Sequence, residues 1–180
     1  TDMTKNPLMF KDIDPTQAST HPGVPVSPLF GMWDPASADE VHNQGEVWCM
    51  ALWEARANLI RKYGNSGNRR MLQLVTDGMK LGPANPNFLQ ARDAIILADL
   101  VNNGGANASE LWAGFAKCGM GFSATSPDSS MTIGVVEAYD APGLNVQGVR
   151  VLGGNGNGIV EVNECNELQL ILANFNDFTV

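Results

Sequence analysis

Basic residues and long apolar runs are both scarce in this sequence. Its 180 residues include 11 Lys and Arg against 19 Asp and Glu, which gives a formal net charge of -8. We expect no nucleic acid partner, because such a chain lacks a basic face that could neutralise a run of phosphates. No apolar run approaches the roughly 20 residues that a membrane helix needs, so we expect no membrane partner either. The first seven residues are polar, so we expect any export signal to lie upstream of them.

Cysteine is also sparse, whereas apolar residues are plentiful. The three cysteines are too few and too scattered for a disulfide framework or a four-cysteine zinc site. The hydrophobic fraction of 44% is enough to fill a core. The sequence therefore predicts a globular protein of one ordinary domain with a small appendix.

Proline density separates residues 1–35 from the rest of the chain. Repeated prolines break helices and favour an extended segment that wraps over another part of the protein. They stand at positions Pro7, Pro15, Pro22, Pro25, Pro28 and Pro35.

Residues 36–121 carry helical periodicity and predict a helical lobe. The first helix is predicted over residues 38–63, with Ser37 as N-cap and Gly64 as its end, and with enough apolar residues to run through the middle of the lobe. Further helices are predicted over residues 68–80 and 87–101. A fourth is expected to begin at Asn107, which would form a capping box with Glu110.

From residue 122 onward the apolar period shortens to about two, which predicts strands. The residues that show it are Met131, Ile133, Val135, Val146, Val149, Val151, Leu168, Leu170 and Leu172. Residues 122–180 are therefore predicted to form a small antiparallel β unit, and both a complete unit and one that continues in a longer protein stay open.

Several motifs of residues 1–121 occur in the same order as in a known family. They are TDMTKNP at 1–7, VHNQGEVW at 41–48, LWE at 52–54, DGMKL at 77–81, NPNFLQARDAI at 85–95, GGAN at 104–107 and ELWAGFA at 110–116. This series closely resembles the fungalysin metalloproteases and, more loosely, the thermolysin group. The resemblance implies a mainly α fold, the four-helix carboxy-terminal lobe of such an enzyme, followed by the β unit.

The resemblance also implies how the active site is divided. Such enzymes bind zinc through a His-Glu-x-x-His helix and a downstream glutamate, but this sequence has only His21 and His42. The zinc of the parent enzyme would then be bound by a missing amino-terminal half, and this chain alone would be inactive. His42 matches the histidine that donates to the oxyanion of the tetrahedral intermediate, a contact worth roughly 3 kcal/mol of barrier. The expected parent is secreted and cleaves protein or peptide substrates, and His21 is expected to lie in a loop.

A second candidate site is the Gly- and Asn-rich stretch of residues 153–164. On the template of a calcium loop it offers Asn155, Asn157, Glu161 and Glu164 as ligands, although Gly153 replaces the usual first aspartate. Repeated Asn-Gly pairs are equally typical of a hairpin turn. Calcium and a plain turn therefore both remain open.

The rival interpretation is a non-catalytic extracellular module that binds partners or has a structural role through a calcium-dependent β domain. Trp48, Trp53, Trp112 and Phe115 are interpreted as core rather than as a ligand platform, and Cys49 as an inert core thiol. Arg92 and Asp93 are expected to form separate contacts, since neighbours on a helix do not face each other.

Overall fold

The computed structural model describes residues 8–17, 41–160 and 165–174. The chain divides into two compact units, Thr1–Ala141 and Pro142–Val180. The described part of the first unit contains four α-helices, α1 (Val41–Tyr63), α2 (Ser66–Leu81), α3 (Phe88–Asn103) and α4 (Ala108–Lys117). The mainly α prediction is confirmed, and none of the helices in the described ranges has the length and apolarity needed to span a bilayer.

Helix α1 is the centre of the first unit, because it packs against both α2 and α4. Its buried face carries Val47, Ala51, Ala55 and Leu59, none of which is exposed to solvent. The apolar steps of the sequence predicted this helix, but Val41 at its start is 70% exposed instead of buried. The predicted cap Ser37 lies outside the described residues.

Glycines allow the helices to approach closely. A Cβ atom added at Gly114 on α4 would overlap the backbone and side chain of Ala55 on α1. A Cβ added at Gly78 on α2 would lie 2.8 Å from Ile95 Cγ1 on α3. These two contacts set the spacing of the helix pairs.

The starts of α3 and α4 are capped in different ways. At α3, Asn87 and Gln90 form a reciprocal capping box, in which each side chain accepts a hydrogen bond from the other residue's backbone N–H. At α4 the predicted box of Asn107 with Glu110 is not formed. The buried Asn107 side chain donates to Asp99 instead, so a tertiary contact replaces the local one.

The short segment 8–17 covers one side of the helical unit. Its 3₁₀ turn, Phe10–Ile13, buries both terminal side chains in the core. The Phe10 backbone N–H donates to the carbonyl of Cys118 at 2.9 Å, and the Lys11 N–H donates to Glu137 Oε1 at 2.9 Å. Residues 1–7 and 18–40, which complete the predicted wrapping segment, lie outside the described residues.

Asp14 fixes the end of this segment through neutral donors. Burial alone would raise the pKa of Asp14, but hydrogen bonds from the Thr16 hydroxyl, the Gly134 backbone N–H and the Gln17 amide hold it well below its ordinary range. A depressed folded pKa means that the carboxylate stabilises the fold above about pH 4 and loses that effect as the pH falls below it.

Asp14→Asn is therefore expected to destabilise the protein by about 2 kcal/mol at pH 7, since it removes charge-assisted hydrogen bonds. The difference from the wild type should shrink as the pH falls from about 4 towards 2. Urea unfolding midpoints across this range measure it, with the exposed Asp128→Asn as the control. A difference that is the same at pH 7 and pH 2 would contradict the assignment.

Residues 122–141 belong to the helical unit, whereas the sequence analysis placed them at the start of the β unit. The predicted strand around Met131 and Ile133 is not formed, and these side chains are 56% and 52% exposed. Two isolated β-bridges are formed in this part of the chain instead. They pair Thr125 with Val136 and Met120 with Ala138. Its alternating apolar residues lack a partner strand in the described part of the first unit.

The second unit contains an antiparallel hairpin. Strands β1 (Leu144–Gly153) and β2 (Asn166–Asn174) pair from Leu144 opposite Asn174 to Gly153 opposite Asn166. A bulge interrupts the register between Val146 and Gly148. The predicted small antiparallel β unit is confirmed for these strands.

Candidate functional site

His42 is the second residue of α1, at the amino-terminal end of the central helix of the unit. Its backbone is helical, and its side chain lies outside the described residues. The backbone of α1 therefore determines where His42, the proposed oxyanion donor, lies.

The first half of α1 has two contrasting faces. Positions 42, 45, 49, 53 and 56 recur at three- and four-residue steps, so they share one face of the helix. Gly45, Cys49 and Trp53 on this face are exposed, and the Trp53 side chain is 42% accessible. Cys49 was interpreted as a core thiol and Trp53 as a core residue, and both interpretations are wrong. We call Gly45, Cys49 and Trp53 the exposed face of α1.

An arginine links this face to the next helix. The guanidinium of Arg56 lies 4.2 Å from the centre of the Trp53 ring, a cation–π distance. Its Nε atom donates to Asn68 Oδ1 on α2 at 2.7 Å. The Trp53 ring is thereby held in one orientation while its outer side stays accessible.

Aromatic rings pack against a neighbouring side of the same helix segment. Trp48 is half-buried and packs edge-on against Phe88, with 5.9 Å between the ring centres. It stacks on Phe115 at 5.8 Å. Trp112 and Phe115 are buried, as predicted for core residues. The cluster packs α1 against α3 and α4 close to the amino-terminal end of α1.

Arg92 and Asp93 form an ion pair, contrary to the expectation of separate contacts. The distance from Arg92 Nη2 to Asp93 Oδ1 is 2.7 Å, because the long arginine side chain can fold back along the helix. Arg92 is buried, lies over the Trp112 ring and donates to the carbonyls of Met120 and Gly121. These bonds make it a structural link between α3 and the segment that follows α4.

A catalytic metal does not fit the described residues. Within residues 8–17, 41–160 and 165–174, no three His, Cys, Asp or Glu side chains lie close enough together to bind one ion. His21 lies outside these ranges.

The candidate calcium loop is described only over residues 153–160. The side-chain oxygens of Asn155 and Asn157 accept the backbone N–H groups of Asn157 and Ile159 at 2.9 Å and 2.8 Å. Gly158 has a left-handed φ of 77°, which the turn position of a calcium loop and an ordinary Asn-Gly turn both require. Glu161 and Glu164 lie outside the described residues.

Residues 1–124, about two thirds of the chain, match the model of the fungalysin metallopeptidase (M36) family. The chain belongs to this family. The fungalysin match includes all four helices and ends before the hairpin unit.

Fungal proteins are among the relatives of this fungalysin chain. The extracellular metalloproteinase mep of Aspergillus niger is 50% identical over 95 residues, which are 45% of this chain and 15% of the relative. Extracellular metalloproteinase 1 of Trichophyton equinum is 46% identical over 100 residues, 48% of this chain and 16% of the relative. The extracellular metalloproteinase MEP of Fusarium vanettenii is 42% identical over 111 residues, 53% of this chain and 17% of the relative.

The matched stretch thus spans about a sixth of the length of these fungalysin relatives. The sequence analysis found the helix that carries His42, but it missed the exposed face beside it. A glycine in the interior of a helix was the available sign, since it weakens a helix unless something needs the space.

Proposed function

We propose that this chain is the carboxy-terminal part of a secreted zinc metalloendopeptidase and that it supplies the oxyanion-stabilising histidine. The family match over residues 1–124 supports this proposal, since it contains the helix on which His42 lies. The names of the relatives, extracellular metalloproteinases, support secretion and a protein or peptide substrate.

The chemistry assigned to this chain is hydrogen bonding to a developing negative charge. Attack of water on a peptide carbonyl produces a tetrahedral intermediate with an anionic oxygen. A positioned imidazole N–H that donates to this oxygen lowers the barrier, provided that its helix does not move when the charge forms. The aromatic cluster around Trp48 packs against this helix and supports its position.

The zinc ion and the general base belong to residues upstream of Thr1 in this proposal. The metal would polarise the carbonyl and activate the water. A His-Glu-x-x-His motif in the upstream coding sequence supports the peptidase, and degenerate ligands there would indicate a fold retained for binding.

Zinc binding tests the same division directly. Calorimetric titration of the isolated chain is expected to show no tight stoichiometric site, because three ligands cannot be assembled. The longer polypeptide, first stripped with a chelator, is expected to take up one equivalent. Tight binding by the isolated chain would contradict the placement of the ligands elsewhere.

A non-catalytic calcium-dependent module is the second candidate, and the left-handed Gly158 and the paired asparagines are compatible with it as well as with a plain turn. In that case calcium is expected to raise the melting temperature of the hairpin unit, and Asn157→Ala with Glu164→Gln should abolish the rise. Magnesium is the control, because it requires tighter octahedral geometry. An unchanged melting temperature in millimolar calcium would leave the stretch as a hairpin turn.

A further inference from the structure

We propose that Asn157 is a site of non-enzymatic deamidation in the folded protein. The residue lies in the exposed stretch that follows β1 in the hairpin unit. Deamidation there replaces a neutral carboxamide by a carboxylate and adds negative charge to a chain whose formal net charge is -8. The reaction requires no peptidase activity, so it goes beyond the proposed function and does not depend on it.

The reaction needs only the asparagine, the next residue and water. The backbone nitrogen of Gly158 attacks Cγ of Asn157, the bond from Cγ to Nδ2 breaks, and Nδ2 leaves as ammonia with the proton that the attacking nitrogen gives up. A cyclic imide results. Water then opens the imide at Cγ, which gives aspartate, or at the backbone carbonyl, which gives isoaspartate. Nothing is oxidised or reduced in these steps.

The two products change the turn in different ways. Aspartate places a carboxylate at position 157, one of the positions that the template of a calcium loop offers, and calcium prefers negatively charged oxygen ligands. Isoaspartate carries the main chain through the former side chain and so lengthens the backbone of the turn. Either product makes a neutral part of the hairpin unit acidic.

The first observation is that the chain contains three Asn-Gly pairs with equal steric access. All three asparagines are exposed. All three glycines have a left-handed φ, between 62° and 81°, and no atom lies within 4 Å of the Cβ position of any of them. Glycine leaves its own nitrogen open to attack the preceding side chain, so access does not separate the pairs. They are Asn103-Gly104, Asn155-Gly156 and Asn157-Gly158.

The second observation is the hydrogen bonding of the attacking nitrogen. Gly104 N–H donates to the carbonyl of Leu100 at 3.0 Å, and Gly156 N–H donates to the carbonyl of Gly153 at 3.1 Å. Gly158 N–H has no hydrogen-bond acceptor within the described ranges. The nitrogen must lose its proton and turn towards Cγ, so a hydrogen bond that holds this N–H opposes the reaction. The attacking nitrogen of Gly158 lacks that restraint.

The third observation is the position of the side chain that is attacked. Asn157 Oδ1 accepts the backbone N–H of Ile159 at 2.8 Å, which folds the carboxamide back over the Gly158 peptide and polarises its carbonyl. The Asn103 side chain is drawn back along α3 instead, where its Nδ2 atom donates to Asp99 Oδ1 at 3.0 Å. The leaving nitrogen of Asn103 is therefore restrained, whereas the Asn157 carboxamide is placed for ring closure.

These contacts set an order of rates in the folded protein. Asn155 has the same side-chain arrangement as Asn157, since its Oδ1 accepts the Asn157 N–H at 2.9 Å. The hydrogen bond on its following glycine should make it react about fivefold more slowly, the factor that one backbone hydrogen bond supplies. Asn103 should react about 25-fold more slowly than Asn157 or slower still, because two such bonds must break at the end of a helix.

Peptide mapping by mass spectrometry measures these rates. The folded chain is incubated at neutral pH for several weeks, and the mass increase from replacing the amide NH₂ by OH is followed for each pair. Asn155→Gln and Asn157→Gln are the matched variants, because glutamine keeps the carboxamide but closes a larger ring much more slowly. Conversion in the turn is expected to be about fivefold faster in Asn155→Gln than in Asn157→Gln.

The unfolded chain is the control for the role of structure. In guanidinium chloride the hydrogen bonds on the attacking nitrogens are lost, so the three Asn-Gly pairs should react at similar rates. An Asn157 that stays unconverted in the folded chain, or that reacts no faster than Asn155 and Asn103, would overturn the proposal. The same order of rates in folded and unfolded protein would overturn it too, since local sequence would then decide the site.

Discussion

His42→Ala in the longer, zinc-loaded polypeptide is expected to reduce kcat by about a hundredfold or more while KM changes little. The reason is that the oxyanion exists only after water has attacked the carbonyl. A donor to that oxygen stabilises the transition state far more than the bound substrate, so its loss appears in turnover rather than in substrate affinity.

The matched control for this variant is His21→Ala, which changes the other histidine of the chain. It is expected to leave kcat and KM near the wild-type values. Steady-state kinetics on a fluorogenic peptide measures both variants, and circular dichroism checks that each one is folded. Near-normal turnover in His42→Ala would remove the catalytic role from this residue.

Gly114→Ala is expected to destabilise the isolated chain by about 2–3 kcal/mol, although alanine is the better helix former. The added methyl group would overlap the Ala55 backbone as well as its Cβ, and backbone atoms on the central helix cannot rotate away. Helices α1 and α4 must therefore separate, which disturbs the Trp48 and Phe115 stack between them.

Gly45→Ala is the matched control for this substitution, because it makes the same chemical change on a helix but in open space. Urea unfolding of the two variants should shift in opposite directions, with Gly45→Ala slightly more stable than the wild type. A Gly114→Ala protein as stable as the wild type would show that the helices can adjust without loss.

Local chemistry explains which parts of the fold could be predicted from the sequence. The reciprocal cap of Asn87 with Gln90 and the left-handed Gly104 that ends α3 depend on neighbours within a few residues. The apolar steps that predicted α1 likewise belong to a single helix. These features are written in short stretches of sequence, and the helices formed where they were expected.

The errors arise where a distant residue decides the outcome. Asn107 was expected to cap its own helix, but its side chain donates a hydrogen bond to Asp99, eight residues earlier, instead. Residues around Met131 alternate like a strand, yet no neighbouring strand in the described part of the first unit pairs with them. Periodicity shows that a residue is apolar, but it does not show which neighbour will cover it.

The candidate site follows the same division. The position of His42 near the start of a helix could be predicted from the motif around it. The exposure of Cys49 and Trp53 could not, because both residues stand among apolar neighbours in a helix whose other rows are buried. Their accessibility depends on how α2 and α4 are arranged around α1.

The anchoring of Phe10 has a consequence for the order of folding. Helices α1 to α4 are joined by short connections, so their mutual contacts can form early. Phe10 joins Cys118, and Lys11 joins Glu137 across 126 residues, which closes a loop that contains all four helices. The core is therefore expected to close on that side only when the Phe10–Ile13 turn is inserted.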